Sequence, residues 1–286
     1  MSLLRFMYDK LPNNVKVKLG YFLINKKWPN VNNPKSINEK IVHRILFDRN
    51  FEYSMYADKL AVRQYIEKIL GTDKLIPLVY YTDKPENIKQ CTSLINKVVK
   101  PNHGAGMVKI FDYEPSIEEK AELIDQCEKW LKFDYSTAAG EWHYSNIKPY
   151  ILIEEKISKT GEDLKDFKFH RFLQNDGSYI QILQLIAERS NKEYETVFYD
   201  VTNLDKPLYS PFNYSISLSD FEKSSIKEIL LFNKKIYPEN PYIRVDWYIV
   251  SDKIYFGEIT FTPGSGKSKS LAGEFGVKMG NLWVIK

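Results

Sequence analysis

Two acidic residues near the C-terminal end have the types and spacing to hold a metal ion together. Asp246 lies in the strand-like run IRVDWYIV, Glu258 lies in KIYFGEITF, and the two runs meet at Ser251 and Asp252. If the loop between them holds an odd number of residues, Asp246 faces Glu258 across a hairpin. Facing carboxylates repel unless a cation lies between them, and Mg²⁺ prefers a few carboxylate oxygens together with substrate phosphates. The hairpin therefore predicts a magnesium site beside a phosphate.

The neighbours of the two carboxylates favour this interpretation over a solvated hairpin with incidental charges. Trp247, Phe256 and Phe261 indicate a largely buried hairpin, in which unpaired carboxylates would be costly. In the same register Arg244 faces Thr260 on the side that carries the carboxylates. Its planar guanidinium could bind a phosphate oxygen there.

A glycine-containing loop in the middle of the chain could cover phosphates. In KVVKPNHGAGMVKIF, a strand that carries Lys100 runs into a loop with Gly104 and Gly106 and out into another strand. Backbone N–H groups of such a loop can surround phosphates while the lysine adds positive charge. Taken alone the segment fits an ordinary β-hairpin equally well. The candidate metal site in the same chain favours a phosphate lid.

Two further segments carry charges that suit a nucleotide. The apolar run YILIEEKIS contains Glu154 and Glu155, and adenine is usually held by an extended backbone segment with an acidic side chain nearby. Downstream, Asp166 and Lys168 alternate with phenylalanines, so both charges share one strand face. A salt-bridged strand edge exposed to solvent explains this second pair equally well.

Two other motifs are rejected. GSGKSKS resembles the end of a phosphate-binding P-loop, but Phe261 stands where that motif needs its first glycine, and no strand-to-helix context follows. HGAG resembles the oxyanion loop of esterases, but the chain has no GxSxG nucleophile motif.

The elements that must position these residues follow from periodicity. Apolar spacing predicts helices over residues 36–49, 53–70, 117–133 and 219–237, and Gly71 ends the second. Short β-branched and aromatic runs predict strands in LIPLVYY, NKVVKP, YILIEEKI, FKFHRFL, YIQILQLIAER and ETVFYDV, followed by the hairpin over 243–261. Residues 1–30 predict a helix packed on the main body rather than on a membrane surface, because its polar face is not continuously basic. This order is typical of an α+β protein with mainly antiparallel sheets.

Composition excludes several classes of protein. The 286 residues are 43% hydrophobic and 27% charged, which indicates one large or two modest soluble domains. The net charge of +4 is too small to indicate nucleic acid as a partner. No apolar run is long enough to span a membrane and no secretory signal is present, so we expect a cytoplasmic location. Cys91 and Cys127 are expected to be free thiols, and the four histidines lack metal-ligand spacing.

Five segments in order resemble the motifs of the ATP-grasp superfamily: ADKLAVRQYI, VVKPNHGAGM, ILIEEKI, DFKFHRF and RVDWYIVSDKIYFGEITFTPGSG. More narrowly, NPKSINEKI, DRN before ADK, NHGAG and GEITFTPGSG resemble TupA-like ATP-grasp proteins of surface-polysaccharide and teichuronopeptide biosynthesis. The resemblance implies an α+β ATP-grasp fold, in which two lobes with mainly antiparallel sheets grip ATP. It places a mainly helical segment at 1–90, a central lobe with the lid at 91–160 and a C-terminal lobe with the metal site at 161–286.

The resemblance also implies roles for individual residues. It implies ATP binding by Lys59, Lys100, the lid from His103 through Gly104, Ala105 and Gly106 to Met107, Glu154, Glu155, Ile157, Asp166 and Lys168. It implies catalytic roles for Arg244, Lys100 and Lys168, and Mg²⁺ binding by Asp246, Glu258 and Thr260. D-alanyl-D-alanine ligases carry Asn where this chain has Thr260. Because a hydroxyl is a poorer Mg²⁺ ligand than an amide oxygen, we expect a second metal ion to be held more weakly.

The activity implied by the resemblance is ligation of a carboxylate to an amine through an acyl phosphate, with ATP and Mg²⁺. The carboxylate would be a uronic acid of a capsule, O-antigen or similar glycan, and the amine an amino acid or small amine. A lipid-linked substrate would bring the protein to the inner face of the membrane. Trp142, His143, Tyr144 and Arg189 are candidate substrate contacts, although ordinary packing and surface ion pairs explain them equally well. The alternatives are a sugar kinase and a non-catalytic ATP-binding subunit of a polysaccharide assembly complex.

Overall fold

The strands form two antiparallel sheets that follow one another along the chain. The computed structural model describes residues 11–158, 164–188, 194–211 and 216–285. The first sheet has the order β1-β4-β2-β3 and the second the order β7-β6-β5-β8-β9. The strands are β1 (Leu78–Thr82), β2 (Lys97–Pro101), β3 (Lys109–Phe111), β4 (Ile151–Glu155), β5 (Asp166–Leu173), β6 (Tyr179–Glu188), β7 (Tyr194–Asp200), β8 (Tyr242–Val250) and β9 (Lys253–Thr260). The expected α+β class with antiparallel sheets is confirmed.

Helices cover both sheets, and side-chain caps fix where three of them begin. Ser36, Ser116 and Ser219 each accept a hydrogen bond from the backbone N–H three residues on, where a glutamate bonds back. The α-helices are α1 (Asn13–Asn25), α2 (Ile37–Phe47), α3 (Glu52–Ala57), α4 (Ala61–Leu70), α5 (Ile117–Lys132), α6 (Tyr135–Ala139), α7 (Asp220–Lys235) and α8 (Gly273–Leu282). Short 3-10 turns lie at Thr72–Lys74, Pro85–Gln90, Trp142–Asn146, Pro263–Gly266 and Lys269–Leu271. Within the described residues, no helix is both long and apolar enough to cross a membrane.

The single helix predicted over residues 53–70 is wrong, because the chain breaks between α3 and α4. Asp58 Oδ1 accepts the backbone N–H groups of Leu60 at 2.8 Å and Ala61 at 3.3 Å, which caps a new helix. The backbone N–H of Lys59 donates outside the helices, to the Asn102 carbonyl oxygen at 3.0 Å. This break holds Lys59 beside the glycine-containing loop that follows β2.

The second sheet has one apolar face and one polar face, which places the functional side chains. Phe167, Phe169 and Trp247 are fully buried against α7, and burial of each such side chain contributes about 2 kcal/mol. Because alternate residues point the other way, Lys168 and Asp246 lie on the opposite face. The same alternation therefore builds the core and lines up the charges.

The C-terminal helix α8 was not predicted from the sequence. Leu271, Phe275 and Met279 pack with α1 and α2 in a second core, at helical spacing. Two glycines interrupt that apolar pattern because the backbone of other segments lies too close. A Cβ at Gly276 would lie 2.1 Å from the Leu271 oxygen, and one at Gly280 would lie 2.0 Å from the Lys35 oxygen.

Candidate nucleotide and metal site

The hairpin of β8 and β9 brings the two predicted metal ligands together. Asp246 pairs with Glu258 and Arg244 pairs with Thr260. The premise of an odd-numbered loop is wrong, since the turn between the paired residues Val250 and Lys253 holds only two residues. A register shift next to Asp246 restores the pairing, as a β-bulge does.

The bulge occurs at Gly257. Trp247 pairs with Phe256, so a regular ladder would place Gly257 opposite Asp246. A Cβ at Gly257 would lie 3.0 Å from the Asp246 carbonyl oxygen and 3.1 Å from the Tyr248 ring. The extra residue turns Glu258 onto the same face as Asp246, and only glycine fits there without displacing its neighbours.

Arg244 joins the oxygen atoms of this hairpin face. Its Nη2 lies 2.7 Å from Asp246 Oδ2, 3.2 Å from Glu258 Oε1 and 3.0 Å from Thr260 Oγ1. Its Nε donates to Asp246 Oδ1 at 2.7 Å. Three oxygens from three residues thus converge on one positively charged nitrogen.

Two lysines also form ion pairs with the carboxylates of Asp246 and Glu258. Lys168 Nζ lies 2.7 Å from Asp246 Oδ2 and 3.3 Å from Asp166. Lys59 Nζ lies 3.2 Å from Glu258 Oε2 and donates to the Gly104 carbonyl at 2.7 Å. Lys59 therefore connects the hairpin to the loop after β2.

The charges of this group reinforce one another electrostatically. Burial would raise the pKa of Glu258, but the charges of Lys59 and Arg244 outweigh burial and hold this pKa well below its ordinary value. Burial would lower the pKa of Arg244, but the Asp246 charge raises it above the ordinary range. Burial raises the pKa of Asp166, against the opposing effect of Lys168. Glu258 is thus ionised and Arg244 is charged at neutral pH.

A cavity of about 340 Å³ opens beside the hairpin face and is large enough for a small-molecule ligand. Its wall contains most of the residues predicted to contact ATP: Lys59, Lys100, Gly104, Ala105, Gly106, Met107, Glu154, Glu155, Ile157, Asp166, Lys168, Asp246 and Glu258. Val98, Ile110 and Tyr248 contribute apolar surface. Elements from both sheets and the loop between β2 and β3 therefore enclose one space.

The structure does not bring His103 into this cavity. The imidazole is 3% exposed, and its Nε2 lies 3.3 Å from the Phe133 carbonyl oxygen. Burial lowers the pKa of His103, which favours a neutral ring at this position. Gly104 and Gly106 both have positive φ, so the glycines rather than the histidine shape the loop that faces the cavity.

Glu154 has two cationic partners, Lys100 and Arg63. Arg63 was not predicted from the sequence as a site residue. Glu154 Oε2 lies 2.6 Å from Lys100 Nζ, and its Oε1 lies 3.1 Å from Arg63. Arg63 also donates to the Ile76 carbonyl at 2.6 Å. Glu155 instead pairs with Lys97 at 3.1 Å. The motif ADKLAVRQYI contains Arg63, but nothing in its spacing indicated a partner 91 residues away.

The candidate substrate contacts Trp142, His143 and Tyr144 are not among the residues that line this cavity. The Arg49 guanidinium lies over the Trp142 ring, with 5.4 Å between Arg49 Cζ and the ring centroid. His143 is 1% exposed and packs edge-on to Phe261, with 6.1 Å between ring centroids. Tyr144 stacks at a tilt on His143, with 4.6 Å between centroids. Arg189 lies outside the described residues.

The residues present fit a magnesium ion bound together with phosphates. Asp246, Glu258 and Thr260 supply hard oxygen donors that already surround one cationic nitrogen. Within the described part of the chain, no three His, Cys, Asp or Glu residues cluster as a complete metal site. Two carboxylates alone suit Mg²⁺, which takes its remaining ligands from substrate phosphates and water.

The D-alanine–D-alanine ligases of two bacteria are among the solved structures that resemble this chain. D-alanine–D-alanine ligase from Helicobacter pylori matches 81% of this chain with a TM-score of 0.50 and 15% identity, over 62% of its own chain. The ligase from Bacillus anthracis matches 80% of this chain with a TM-score of 0.44 and 19% identity, over 66% of its own chain. This chain thus spans less than two thirds of the length of either ligase. No curated protein sequence matches it.

The match at the family level covers most of the chain. The model of the family described as TupA-like ATPgrasp matches residues 39–284, which include the loop after β2, strand β4 and the whole hairpin. The expected resemblance and the ATP-grasp fold are confirmed. This chain belongs to the TupA-like ATPgrasp family.

Proposed function

We propose that this protein is an ATP-dependent ligase that activates a carboxylate as an acyl phosphate and joins it to an amine. The facing pair Asp246 and Glu258 carries the proposal, because two carboxylates on one strand pair suit a metal held with phosphates. Lys59, Lys168 and Arg244 place positive charge around them. Phosphoryl transfer needs this kind of positioned charge more than covalent help from the protein.

Asp246, Glu258 and Thr260 would hold Mg²⁺, which when bound would neutralise charge on the phosphate oxygens. Arg244 and Lys168 contact the same carboxylates and would turn toward the phosphates when these arrive. Lys100 reaches the cavity from β2 and would bind a second part of the phosphate chain. The proposed role of these cations is to stabilise charge in the transition state.

In the proposed first step, a carboxylate oxygen attacks the γ-phosphorus and ADP leaves. The second step forms the C–N bond as phosphate leaves with the C–O electron pair. Water must be kept out between the steps because an acyl phosphate hydrolyses readily. We propose that residues 91–160 and 161–286 act as two lobes that close on ATP, with the loop from His103 to Met107 as the lid. In this arrangement Glu154, Glu155 and Ile157 lie at the adenine.

The proposed substrate class rests on the resemblance to TupA-like proteins of surface-polysaccharide biosynthesis. We propose a uronic acid of a surface glycan as the carboxylate and an amino acid or small amine as its partner, at the inner face of the membrane where the glycan is lipid-linked. A sugar kinase would instead stop at a stable phosphate ester. An ATP-binding subunit without activity would bind ATP and turn over no acceptor.

A product assay separates these three functions. The protein is incubated with Mg-ATP, a pool of uronic acids and uronic-acid glycans and a pool of amines, and products are read by mass. The ligase predicts one water lost per coupling, with ADP and phosphate formed together. Asp246→Asn should abolish ADP formation, while Asp252→Asn in the turn of the same hairpin should not. Phosphate esters formed without amine, or tight ATP binding with no product, would contradict the proposal.

A further inference from the structure

Glu141 is a buried carboxylate without an ion-pair partner among the described residues. Its side chain is 4% exposed, and its Oε1 accepts a hydrogen bond from Ser265 Oγ at 2.8 Å. Burial of a carboxylate that has no cationic partner is strongly unfavourable, so such a group is uncommon unless it has a function. Beside it, the hydroxyl of Thr262 is also buried, and its proximity lowers the pKa of Glu141. The two side chains form a buried polar cluster.

Two tyrosines connect this cluster to the lid and to the proposed metal ligand Glu258. Tyr135 packs directly under the lid, since a Cβ at Gly104 would lie 2.5 Å from its ring. Tyr135 and Tyr144 are in edge contact, with 4.9 Å between ring centroids, and both are only half-buried. After burial, the charges of Glu141 and Glu258 raise the pKa of both tyrosines. Both tyrosines therefore lie within electrostatic reach of Glu141 and of Glu258.

Two neighbouring segments hold Glu141 in a fixed position. Gly140 has φ 83° and packs against α1, where Asn13 donates to its carbonyl at 3.2 Å. Ser265, the hydrogen-bond partner, has φ 51°, which is unusual for a residue with a side chain. Backbone strain of this kind persists only where the surroundings impose it, and it occurs frequently at functional sites. Glu141 is therefore a pre-positioned group rather than a flexible one.

The charges divide the site into an anionic and a cationic end. Arg244, Lys59 and Lys168 would attract phosphates and the substrate carboxylate. A second carboxylate would be repelled from Glu141, whereas an ammonium group could form the direct ion pair that Lys267, whose charge acts on Glu141 from further away, does not form. The two substrates of a carboxylate–amine ligase differ in charge, since one is a carboxylate and the other an ammonium ion.

We propose that Glu141, with Thr262, Tyr135 and Tyr144, forms the binding site for the amine substrate, taken up as a primary ammonium ion. This rests on the proposed ligase function. The ammonium gives its first proton to the Glu141 carboxylate, and the free amine attacks the acyl carbon. The C–N bond forms, the C–O bond to phosphate breaks, and the second proton leaves with hydrogen phosphate.

The electrostatics of Glu141 suit a group that accepts a proton near neutral pH. Burial, with a smaller effect of the Glu258 charge, raises the pKa of Glu141 to about 7, although Ser265, Thr262 and Lys267 act in the opposite direction. A proton acceptor works best when its pKa lies near the working pH.

The test separates activation of the carboxylate from transfer to the amine. With Mg-ATP and a panel of uronic acids, hydroxylamine traps the acyl phosphate as a hydroxamate and, being uncharged at neutral pH, needs no ammonium site. Glycine, alanine, lysine and ethanolamine serve as the amines. Glu141→Gln, which keeps the acceptor for Ser265, is expected to retain hydroxamate formation within about threefold and to lose amide formation by about 100-fold.

Equal loss of both products in Glu141→Gln, or unchanged amide formation, would overturn the amine site while the ligase function stands. Absence of hydroxamate from the wild-type protein with every uronic acid would instead overturn the proposed function, and the amine site with it. Thr262→Val provides a second variant, which removes the buried hydroxyl beside Glu141. It is expected to raise KM for the amine about tenfold with hydroxamate formation unchanged, and an unchanged KM would count against the site.

Discussion

Asp246 lies directly across from Glu258 because of a β-bulge at Gly257, and not because of the length of the turn that joins their strands. The two-residue turn by itself would place Glu258 on the opposite face of the hairpin. One extra residue in β9 therefore decides whether two carboxylates can share a cation. Glycine is the residue that allows the close approach to the Asp246 carbonyl.

Gly257→Val should disrupt the site from a position that carries no charge. The added Cβ would meet the Asp246 carbonyl at 3.0 Å, so the bulge must shift and Glu258 must move away from Asp246. We expect ATP turnover to fall by about 100-fold or more, since misplacement of catalytic groups by about 1 Å has effects of this size. Ser251→Gly in the turn is the control, because glycine accepts its φ of 56°. Similar turnover in both variants would show that the bulge does not matter.

Lys100 and Lys97 lie on the same strand but face different partners, which makes them a matched pair. Lys100 reaches the cavity and Glu154, whereas Lys97 pairs with Glu155. Lys100→Met should weaken ATP binding about 10- to 100-fold, because a charged hydrogen bond contributes about 1.5 to 3 kcal/mol. Lys97→Met should change it less than threefold. Titration calorimetry with ATP measures both, and equal effects would remove Lys100 from the phosphate site.

Without nucleotide, Arg244 should compete with a metal ion for the oxygens of the hairpin face. Its Nη2 contacts the oxygens of Asp246, Glu258 and Thr260 and so occupies the position that suits a divalent cation. We therefore expect the wild-type protein to bind Mn²⁺ weakly without nucleotide, and Arg244→Gln to bind it at least tenfold more tightly. Electron paramagnetic resonance of free Mn²⁺ gives both affinities. Weaker Mn²⁺ binding by the variant would show that the guanidinium does not compete with metal.

Glu141 should make stability depend on pH. Its pKa is raised from 4.5 to about 7 in the folded protein, so its contribution is fully present below pH 4.5 and is lost as pH rises through 7. Relative to Glu141→Gln, the wild-type protein should lose about 2 to 3 kcal/mol of unfolding free energy between pH 5 and pH 8. Urea unfolding of both proteins at the two pH values measures this difference. A constant difference would mean that Glu141 is already paired or solvated.

Local patterns predicted the parts of the site that depend on strand alternation. Alternation predicted that Asp166 and Lys168 share one face of their strand, as Arg244 and Asp246 do on theirs, whereas the pairing of β5 with β8 that places Lys168 beside Asp246 was not predicted. The helices predicted over 117–133 and 219–237 from apolar spacing are confirmed to within two residues at each end.

Features that depend on distant contacts could not be predicted. The break before α4 is supported by the hydrogen bond from Lys59 to Asn102, and the role of Arg63 in α4 depends on Glu154 in strand β4. Glu141 is significant only because Ser265, 124 residues away, is folded against it. No local spacing encodes such pairs, since they form when separate elements pack together.

The central claim is that Asp246 and Glu258 bind a divalent cation together with ATP, and Mn²⁺ affinity in the presence of ATP tests it most directly. We predict that Asp246→Asn and Glu258→Gln each weaken Mn²⁺ binding to the protein–ATP complex at least tenfold, while Asp252→Asn at the turn has no effect. Wild-type Mn²⁺ affinity in both site variants, with the fold intact by circular dichroism, would contradict the account.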